Sequence, residues 1–315
     1  MITPTILVVG ATGNTGRSVV ETLSASFETS EALAGHRIIG LTRSWGNPIA
    51  RKLAELPHVY IEEVNWVDIG PEWLKDRNVV RAFIASHNEP THFADESSFH
   101  LAALNAGVKY VVRISTTAAN VRPDCKAYYP RQHWAIEAQL SSPEFAKMHW
   151  TSLQPNIFYN MALGSALDFI QHYRKFGKQE RLELMADENA PVGYIHPDDV
   201  GHFAGVLLSQ KDTSVHNRAK YVLNGPEDVT GKQIVQFIEQ LIGTKVKNVK
   251  FRDISFVDSM VASVKEHKTL IISIKYALIT SWEGKCSTAT TSRMFKELAP
   301  PQITPVEWFK SALGA

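Results

Sequence analysis

The stretch TILVVGATGNTG, residues 5–16, decides the fold of this chain. Its first part, TILVV, is typical of a strand that is buried on both faces of a sheet. Three glycines follow at positions 10, 13 and 16, and the helix-like segment NTGRSVVETL begins within the same loop. A glycine-rich turn between a first strand and a first helix indicates a dinucleotide-binding unit.

Each glycine of this loop has a physical role. Gly10 allows the sharp turn, Gly13 lets the backbone approach a pyrophosphate, and Gly16 lets the helix pack against the strand. The helix N-terminus adds free N–H groups and a positive dipole end. A turn that binds no ligand could contain the same glycines, so we infer a nucleotide site from the position of the turn between a strand and a helix. The residues expected to hold the cofactor here are Gly10, Thr12, Gly13, Asn14, Thr15 and Gly16.

Strand-like and helix-like segments alternate along the rest of the chain. The strand candidates are HRIIGLT (36–42), HVYIEEV (58–64), NVVRAFIAS (78–86), KYVVRIST (109–116), HWTSLQP (149–155) and KYVLNG (220–225). Helix candidates separate them, and Thr230 is expected to cap a late helix. This order predicts an α/β fold, a doubly wound parallel sheet of the Rossmann type with a smaller C-terminal substrate lobe.

Composition narrows the class of protein. Of the 315 residues, 44% are hydrophobic, and 33 basic residues balance 32 acidic ones. That balance gives no reason to expect direct nucleic-acid binding. Two distant cysteines and a start without a signal-like segment predict a cytoplasmic protein. The apolar run TLIISIKYALI (269–279) is about half as long as a membrane helix and is expected to form a buried helix instead.

The end of the second strand candidate favours NADP over NAD. NAD sites place an acid at this point, whereas this chain has Thr42, Arg43 and Ser44. A guanidinium matches a 2′-phosphate in charge and in two-pronged geometry. Arg51 and Lys52 are further candidates, although we expect them to form a solvated helix face.

Several motifs together resemble the NmrA-like group of atypical short-chain dehydrogenases. They are GATGNTG, LTRS, AGVKYVVRIST, HWAIEAQL, LQPNIFYN and IHPDDVG, and they span nearly the whole chain. The group includes transcription regulators, redox sensors, isoflavone-reductase-like enzymes, quinone reductases and fungal oxidoreductases of secondary metabolism. The segment AYYPRQHW is most similar to fungal members. The resemblance implies an NADP-binding domain of residues 1–156, rejoined by 191–225, and a small substrate lobe from 157–190 and 226–315.

The same resemblance implies positions for the site. Ser86 and His87 would lie along the cofactor, although His87 could equally be a surface histidine. Ser115 would orient a substrate carbonyl, or else end its strand as a local cap. The backbone of Pro155, Asn156 and Ile157 would line the nicotinamide, and Phe158, Tyr159 and Asn160 would begin the substrate wall.

The segment AYYPRQHW departs from the reductases that it resembles. Those enzymes carry Tyr and Lys four residues apart, and the Lys stabilises the ionised Tyr. Here His133 stands four residues after Tyr129, and its ordinary pKa of about 6.5 leaves it mostly neutral. Because Pro130 disfavours a helical Tyr129, we expect the helix to begin at Pro130 or Arg131 and the two side chains not to share a face.

Two roles remain open for each of these residues, and two functions remain open for the chain. His133 would be a ribose ligand or a proton relay, and Tyr129 a proton donor or a bystander. The protein would be an NADPH-dependent oxidoreductase acting on a quinone, enone or aromatic carbonyl, or a non-catalytic NADP(H) sensor that acts through a protein partner. Asp198 or Asp199 is expected to cap a helix begun by Pro197, and no His or Cys set has metal-ligand spacing.

Overall fold

A parallel sheet of seven strands forms the centre of the fold. Within residues 3–314, which the computed structural model describes, the strands are β1 (Thr5–Val9), β2 (Arg37–Thr42), β3 (Val59–Glu63), β4 (Val79–Ile84), β5 (Tyr110–Ile114), β6 (His149–Pro155), β7 (Leu182–Glu183), β8 (Ala219–Leu223) and β9 (Val249–Lys250). The large sheet has the order β3-β2-β1-β4-β5-β6-β8, and its neighbouring strands are parallel. The predicted doubly wound α/β fold is therefore confirmed.

Within residues 3–314 the chain forms thirteen α-helices, some of which cover both faces of this sheet while others pack outside it. They are α1 (Gly16–Ser26), α2 (Pro48–Ala54), α3 (Pro71–Asp76), α4 (His92–Ala106), α5 (Tyr128–Leu140), α6 (Tyr159–Phe176), α7 (Pro197–Leu208), α8 (Gly231–Ile242), α9 (Ser255–Ser263), α10 (Lys268–Ile272), α11 (Ile279–Trp282), α12 (Arg293–Leu298) and α13 (Pro305–Leu313). In β1, Ile6 and Val8 enter one hydrophobic core while Leu7 and Val9 enter the other. Burial on both faces explains why the first strand is a continuous apolar run.

A third hydrophobic core lies outside the large sheet. It is built from α6, α8, α13 and the small parallel sheet β7–β9, with Ile170, Ile238 and Phe309 buried at its centre. The segment 292–299 differs from the lobe division expected from the sequence. Phe295 of α12 packs in the core of the large sheet, and the backbone N–H of Ser292 donates to Val222 of β8.

Helix α5 begins earlier than predicted, at Tyr128. Pro130 is its third residue, where a helix has no use for a backbone N–H, so the ring is tolerated. The free N–H of Tyr128 donates to Ser273 Oγ at 2.9 Å, which caps the first turn from a distant part of the chain. Tyr129 and His133 therefore do share a helix, with ring centroids 6.5 Å apart.

The apolar run 269–279 does not form one buried helix. It is divided between α10, a 3-10 segment (Ser273–Leu278) and the start of α11, and most of its side chains are half-buried or exposed. Among residues 3–314, no helix combines the length and the apolarity that crossing a lipid bilayer requires.

Candidate active site

The glycine loop lies at the carboxyl end of β1. The strand order reverses between β1 and β4, which opens a crevice there in doubly wound sheets. Gly10 has a φ of +79°, and a Cβ on Gly16 would lie 2.1 Å from the carbonyl oxygen of Gly10. Thr15 precedes α1 without a side-chain cap, and Gly13 is exposed. The start of α1 thus lies at the position where a doubly wound sheet can accept phosphate groups.

The acids of the IHPDDVG motif hold helices together. His196, not an aspartate, is the N-cap of α7, and Pro197 is its first residue as predicted. Asp198 accepts two hydrogen bonds from Arg17 of α1, at 2.6 and 2.8 Å. Asp199 accepts the backbone N–H groups of residues 302 and 303. Neither carboxylate is therefore available for catalysis.

Arg43 follows the last residue of β2 and is exposed. Its guanidinium has no hydrogen-bonding or ion-pair partner among residues 3–314. The neighbouring loop is fixed, because the Trp45 N–H donates to the Glu63 carboxylate at 2.7 Å and Thr42 Oγ1 donates to the Ser44 carbonyl. A free arginine on an ordered loop beside the crevice has the chemistry that a 2′-phosphate needs.

Ser86 and His87 follow β4, but their side chains turn toward α4. Ser86 Oγ donates to the Glu96 carboxylate at 2.5 Å, and His87 Nε2 lies 3.0 Å from Asp95 Oδ2. Both side chains are thus already engaged by acidic groups of α4 and are not free for the expected contact with a cofactor. Asn88, which sequence reasoning missed, is exposed in this segment, as is Glu89.

Ser115 directly follows β5, and its hydroxyl has no partner within residues 3–314. The side chain is 5% exposed, and Ser115 Oγ makes no hydrogen bond with the described residues. Only its backbone N–H is used, for the carbonyl of Leu153. A buried hydroxyl without a partner costs free energy, and function is a common reason for retaining one. The reading of Ser115 as a local cap is not supported by these contacts.

Tyr129 is half-buried and remains protonated at neutral pH. Burial raises the pKa of its phenol, Thr116 partly offsets that rise, and Cys125 and Cys286 add to it. No lysine stands one helical turn away to lower the pKa. Tyr129 can therefore donate a hydrogen bond, and its surroundings on balance disfavour a tyrosinate.

His133 is 2% exposed, so it does not line the crevice as expected. Its Nδ1 lies 2.8 Å from Arg113 Nη2, and its Nε2 lies 3.0 Å from Asn88 Oδ1. Burial lowers the pKa of His133 well below its ordinary value, and His92 and Arg113 lower it further. His133 is therefore neutral and enclosed, with both ring nitrogens already in contact with protein groups.

A buried polar network surrounds His133. Arg113 of β5 is wholly buried and donates to Glu96 of α4 at 2.5 and 3.2 Å. Burial alone would raise the pKa of Glu96, but Arg113 and the hydrogen bonds from His100 and His92 hold it well below the ordinary value. The Arg113–Glu96 ion pair lies at the centre of this part of the network, with histidines around it.

The network continues on the other side of Arg113. Arg113 Nη1 donates to Ser152 Oγ at 3.1 Å, and Ser152 Oγ donates to Glu137 at 2.7 Å. Lys220 Nζ lies 2.9 Å from the same buried carboxylate. Each buried acid is thus matched by one basic side chain, which is the condition for keeping charges inside a protein.

Three side chains of this network lie close enough together to share a metal ion: His92, Glu96 and His133. Their atoms already bond to other groups, since His92 Nε2 is 2.6 Å from Glu96 and Arg113 donates to His133. The guanidinium supplies the positive charge that Glu96 requires. These contacts fit a hydrogen-bonded network with a buried ion pair.

A cavity of about 300 Å³ lies beyond the carboxyl ends of β5, β6 and β8. Its lining includes Thr117, Ala118, Gln154, Asn156 and Cys286. Asn156 uses its amide to tie the strand ends to the third core, donating to Asn224 at 2.8 Å and to the Cys286 carbonyl at 2.7 Å.

The expected substrate wall is only partly at the surface. Tyr159 is fully buried and donates its hydroxyl to the Ile303 carbonyl at 2.7 Å, so it is a core residue. Phe158 is half-buried, Asn160 is exposed, and both follow the end of β6.

Comparisons with known proteins agree with this architecture. The sequence profile described as the NmrA-like family matches residues 3–274. No curated protein sequence matches the chain at a significant level. Among solved structures, an NADPH-dependent quinone oxidoreductase from Escherichia coli, complexed with NADPH, has a TM-score of 0.73 at 19% identity, covering 98% of this chain and 99% of that one.

Two further structures are similar. The triphenylmethane reductase of Citrobacter sp., complexed with NADP(H), has a TM-score of 0.70 at 20% identity, with 98% of this chain and 99% of that chain covered. NmrA, a negative transcriptional regulator, has a TM-score of 0.67 at 15% identity, with 100% and 99% covered. At sequence identities of 15 to 20%, these similarities show a shared fold and nothing further.

Proposed function

The chain belongs to the NmrA-like family, and we propose on that premise that it is an NADPH-dependent oxidoreductase. The observation that carries the proposal is the unpartnered hydroxyl of Ser115, which is buried at the carboxyl end of β5. A donor held in place without a protein acceptor fits the oxygen of a carbonyl substrate. Hydride would pass between the nicotinamide and a quinone, enone or aromatic carbonyl, and secondary metabolism is the context that the resemblance implies.

The proposed cofactor is NADP(H). The amides after Gly10 would hold the pyrophosphate, and the unpaired guanidinium of Arg43 would hold the 2′-phosphate. Two of the similar solved structures are described with NADPH or NADP(H) bound. Bound NADPH supplies the hydride, so the protein has to orient the acceptor, exclude water and provide a proton donor.

The proposed substrate is small and largely apolar. The cavity of about 300 Å³ beyond β5, β6 and β8 is at the lower end of the size range of small-molecule sites. Tyr129, held neutral by its surroundings, would donate a hydrogen bond and then a proton to the reduced oxygen. A quinone needs little acid help, because its reduced form is stabilised as a phenolate, so a reaction without a paired lysine is chemically reasonable.

A second candidate function is a non-catalytic NADP(H) sensor that acts through a protein partner. One observation favours it: the position of the usual lysine is taken by a neutral, buried His133. A sensor needs the nucleotide groove and has no need of an ionised tyrosine. The regulator NmrA shares the fold.

Ser115→Ala separates the two functions. The protein is mixed with a single equivalent of NADPH and with a panel of quinones and aromatic enones, and nicotinamide absorbance is followed. Loss of one orienting hydrogen bond is expected to slow hydride transfer about ten- to hundredfold with NADPH affinity unchanged. Ser209→Ala, a serine whose hydroxyl bonds to Gly205 at the end of α7, is the matched control. Wild-type protein that binds NADPH tightly but oxidises none of it with any acceptor would support the sensor instead.

A further inference from the structure

Asn88 is the exposed end of a hydrogen-bonded chain that starts at a buried cation. Arg113 has no exposed surface, His133 has almost none, and Asn88 lies at the surface after β4. The links are 2.8 Å from Arg113 Nη2 to His133 Nδ1 and 3.0 Å from His133 Nε2 to Asn88 Oδ1. The chain therefore connects the interior of the sheet to the segment beside the crevice.

Arg113 determines the direction of both hydrogen bonds in the series from Arg113 through His133 to Asn88. A guanidinium has only donors, so His133 Nδ1 must accept. A neutral imidazole has one acceptor and one donor, so its proton lies on Nε2. That N–H donates to Asn88 and determines which amide atom faces it, the oxygen. The amide NH₂ of Asn88 consequently points away from the network.

The NH₂ group of Asn88 has no partner among residues 3–314. Its segment lies against the glycine loop, because a Cβ on Gly10 would be 3.2 Å from the carbonyl oxygen of Ala85. Gln132 fixes the same segment from α5, since it donates to the Glu89 carbonyl and accepts from the Phe93 N–H. The Asn88 amide, on a segment held beside the glycine loop, thus keeps two N–H donors that no residue within 3–314 uses.

We propose that Asn88 binds an acceptor oxygen of the dinucleotide, in its pyrophosphate or an adjoining ribose, and that Arg113 acts through His133 as the positioning residue that turns the Asn88 amide outward. The inference rests on the proposed nucleotide site. It assigns to His133 a role that needs neither a charge nor contact with substrate. It also explains why a histidine, with one acceptor and one donor, stands where a lysine with donors alone would leave Arg113 facing another cation.

The first test is NADPH affinity measured by calorimetry. Asn88→Ala is expected to weaken binding about tenfold, as loss of one hydrogen bond to a polar or charged oxygen implies. Glu89→Ala is the matched control, because it alters an exposed side chain of the same segment that makes no hydrogen bond within residues 3–314. Affinity unchanged in Asn88→Ala would overturn the proposal. Wild-type protein that binds no NADPH would overturn both this inference and the proposed function.

The second test addresses the series of hydrogen bonds from Arg113 to Asn88, and its NMR part does not require the cofactor. Nitrogen-15 NMR of the imidazoles should show His133 as the Nε2–H tautomer in the ligand-free protein. His133→Leu should weaken NADPH binding as Asn88→Ala does, and the double variant should be no weaker than either, because both remove one unit. His133→Gln keeps an acceptor and a donor and should restore most of the affinity. An Nδ1–H tautomer, or additive losses in the double variant, would contradict the positioning role.

Discussion

Replacing Arg43 by alanine should remove most of the preference for NADPH over NADH. Arg43 follows β2 on an ordered loop, is exposed, and has no partner among residues 3–314 that would compete for it. A phosphate would thus find the guanidinium already free, and no internal ion pair would have to break. The loss should fall on NADPH, because NADH has no group for Arg43 to bind.

The magnitude follows from the type of bond. A hydrogen bond to a charged group contributes about 1.5 to 3 kcal/mol, which is roughly ten- to hundredfold in affinity. Solvent screens an exposed pair, so we expect a value near the lower limit at an ionic strength of about 0.1 M. Binding of both nucleotides is measured by calorimetry at constant salt.

Arg51→Ala provides the matched control for this prediction. Arg51 is an exposed arginine of α2, so its removal changes the net charge equally without touching the end of β2. The control should keep its selectivity, and the two variants should unfold at similar temperatures. A full preference for NADPH in Arg43→Ala, or an equal loss in Arg51→Ala, would refute the assignment of the 2′-phosphate to Arg43.

Two further predictions concern the glycine loop and the buried histidines. Gly16→Ala should destabilise the fold, because its Cβ would lie 2.1 Å from the carbonyl oxygen of Gly10. In Gly13→Ala the new Cβ meets only that oxygen, at 3.2 Å, so this variant should lose nucleotide affinity while its melting temperature stays near that of wild type. If both variants only unfold, the loop is structural and the phosphate role is wrong. Burial lowers the pKa of His100 and of His133 in the folded protein, so the unfolded chain binds more protons than the folded one. The free energy of unfolding should therefore decrease as the pH falls below about 6.5, by at most about 1.4 kcal/mol per pH unit for each histidine. Urea unfolding between pH 7.5 and 5.5 measures this slope, which should be smaller in His100→Gln; an equal slope would show that other groups control it.

The fold could be predicted from local pattern because the large sheet is buried on both faces. Each strand is then a run of apolar residues in the sequence, and the alternation of strands with helices predicts that the strands are parallel. The expected run 149–155 coincides with β6, and Thr230 forms the capping box of α8 as expected. The glycine loop was equally visible, since its constraints are local to one turn.

The polar network could not be predicted as a unit, because its members meet only in three dimensions. Arg113 was visible as a charge inside an apolar strand, and His92, Glu96 and His100 stand four residues apart on one helix face. Those two signals point to a buried ion pair, but neither shows that His133 would join it. The start of α5 was misjudged for a similar reason, since the Ser273 that caps Tyr128 is 145 residues away.

The division into two lobes and the roles of the individual site residues remain proposals. Corrections came where a side chain found a partner that the sequence does not reveal. Tyr159 was expected at the substrate and instead bonds to Ile303, and Ser86 was expected at the cofactor and instead bonds to Glu96. Ser115 differs from both, because the structure gives its hydroxyl no partner.

The most direct test of the central claim is single-turnover oxidation of NADPH by wild-type protein and by Tyr129→Phe. We expect wild type to transfer hydride to at least one small quinone or aromatic enone. Tyr129→Phe should be slower, most of all with enones, whose reduced products need a proton more than a quinone's do. Tight NADPH binding with no oxidation by any acceptor, in protein shown to be folded, would contradict the account and leave the sensor function.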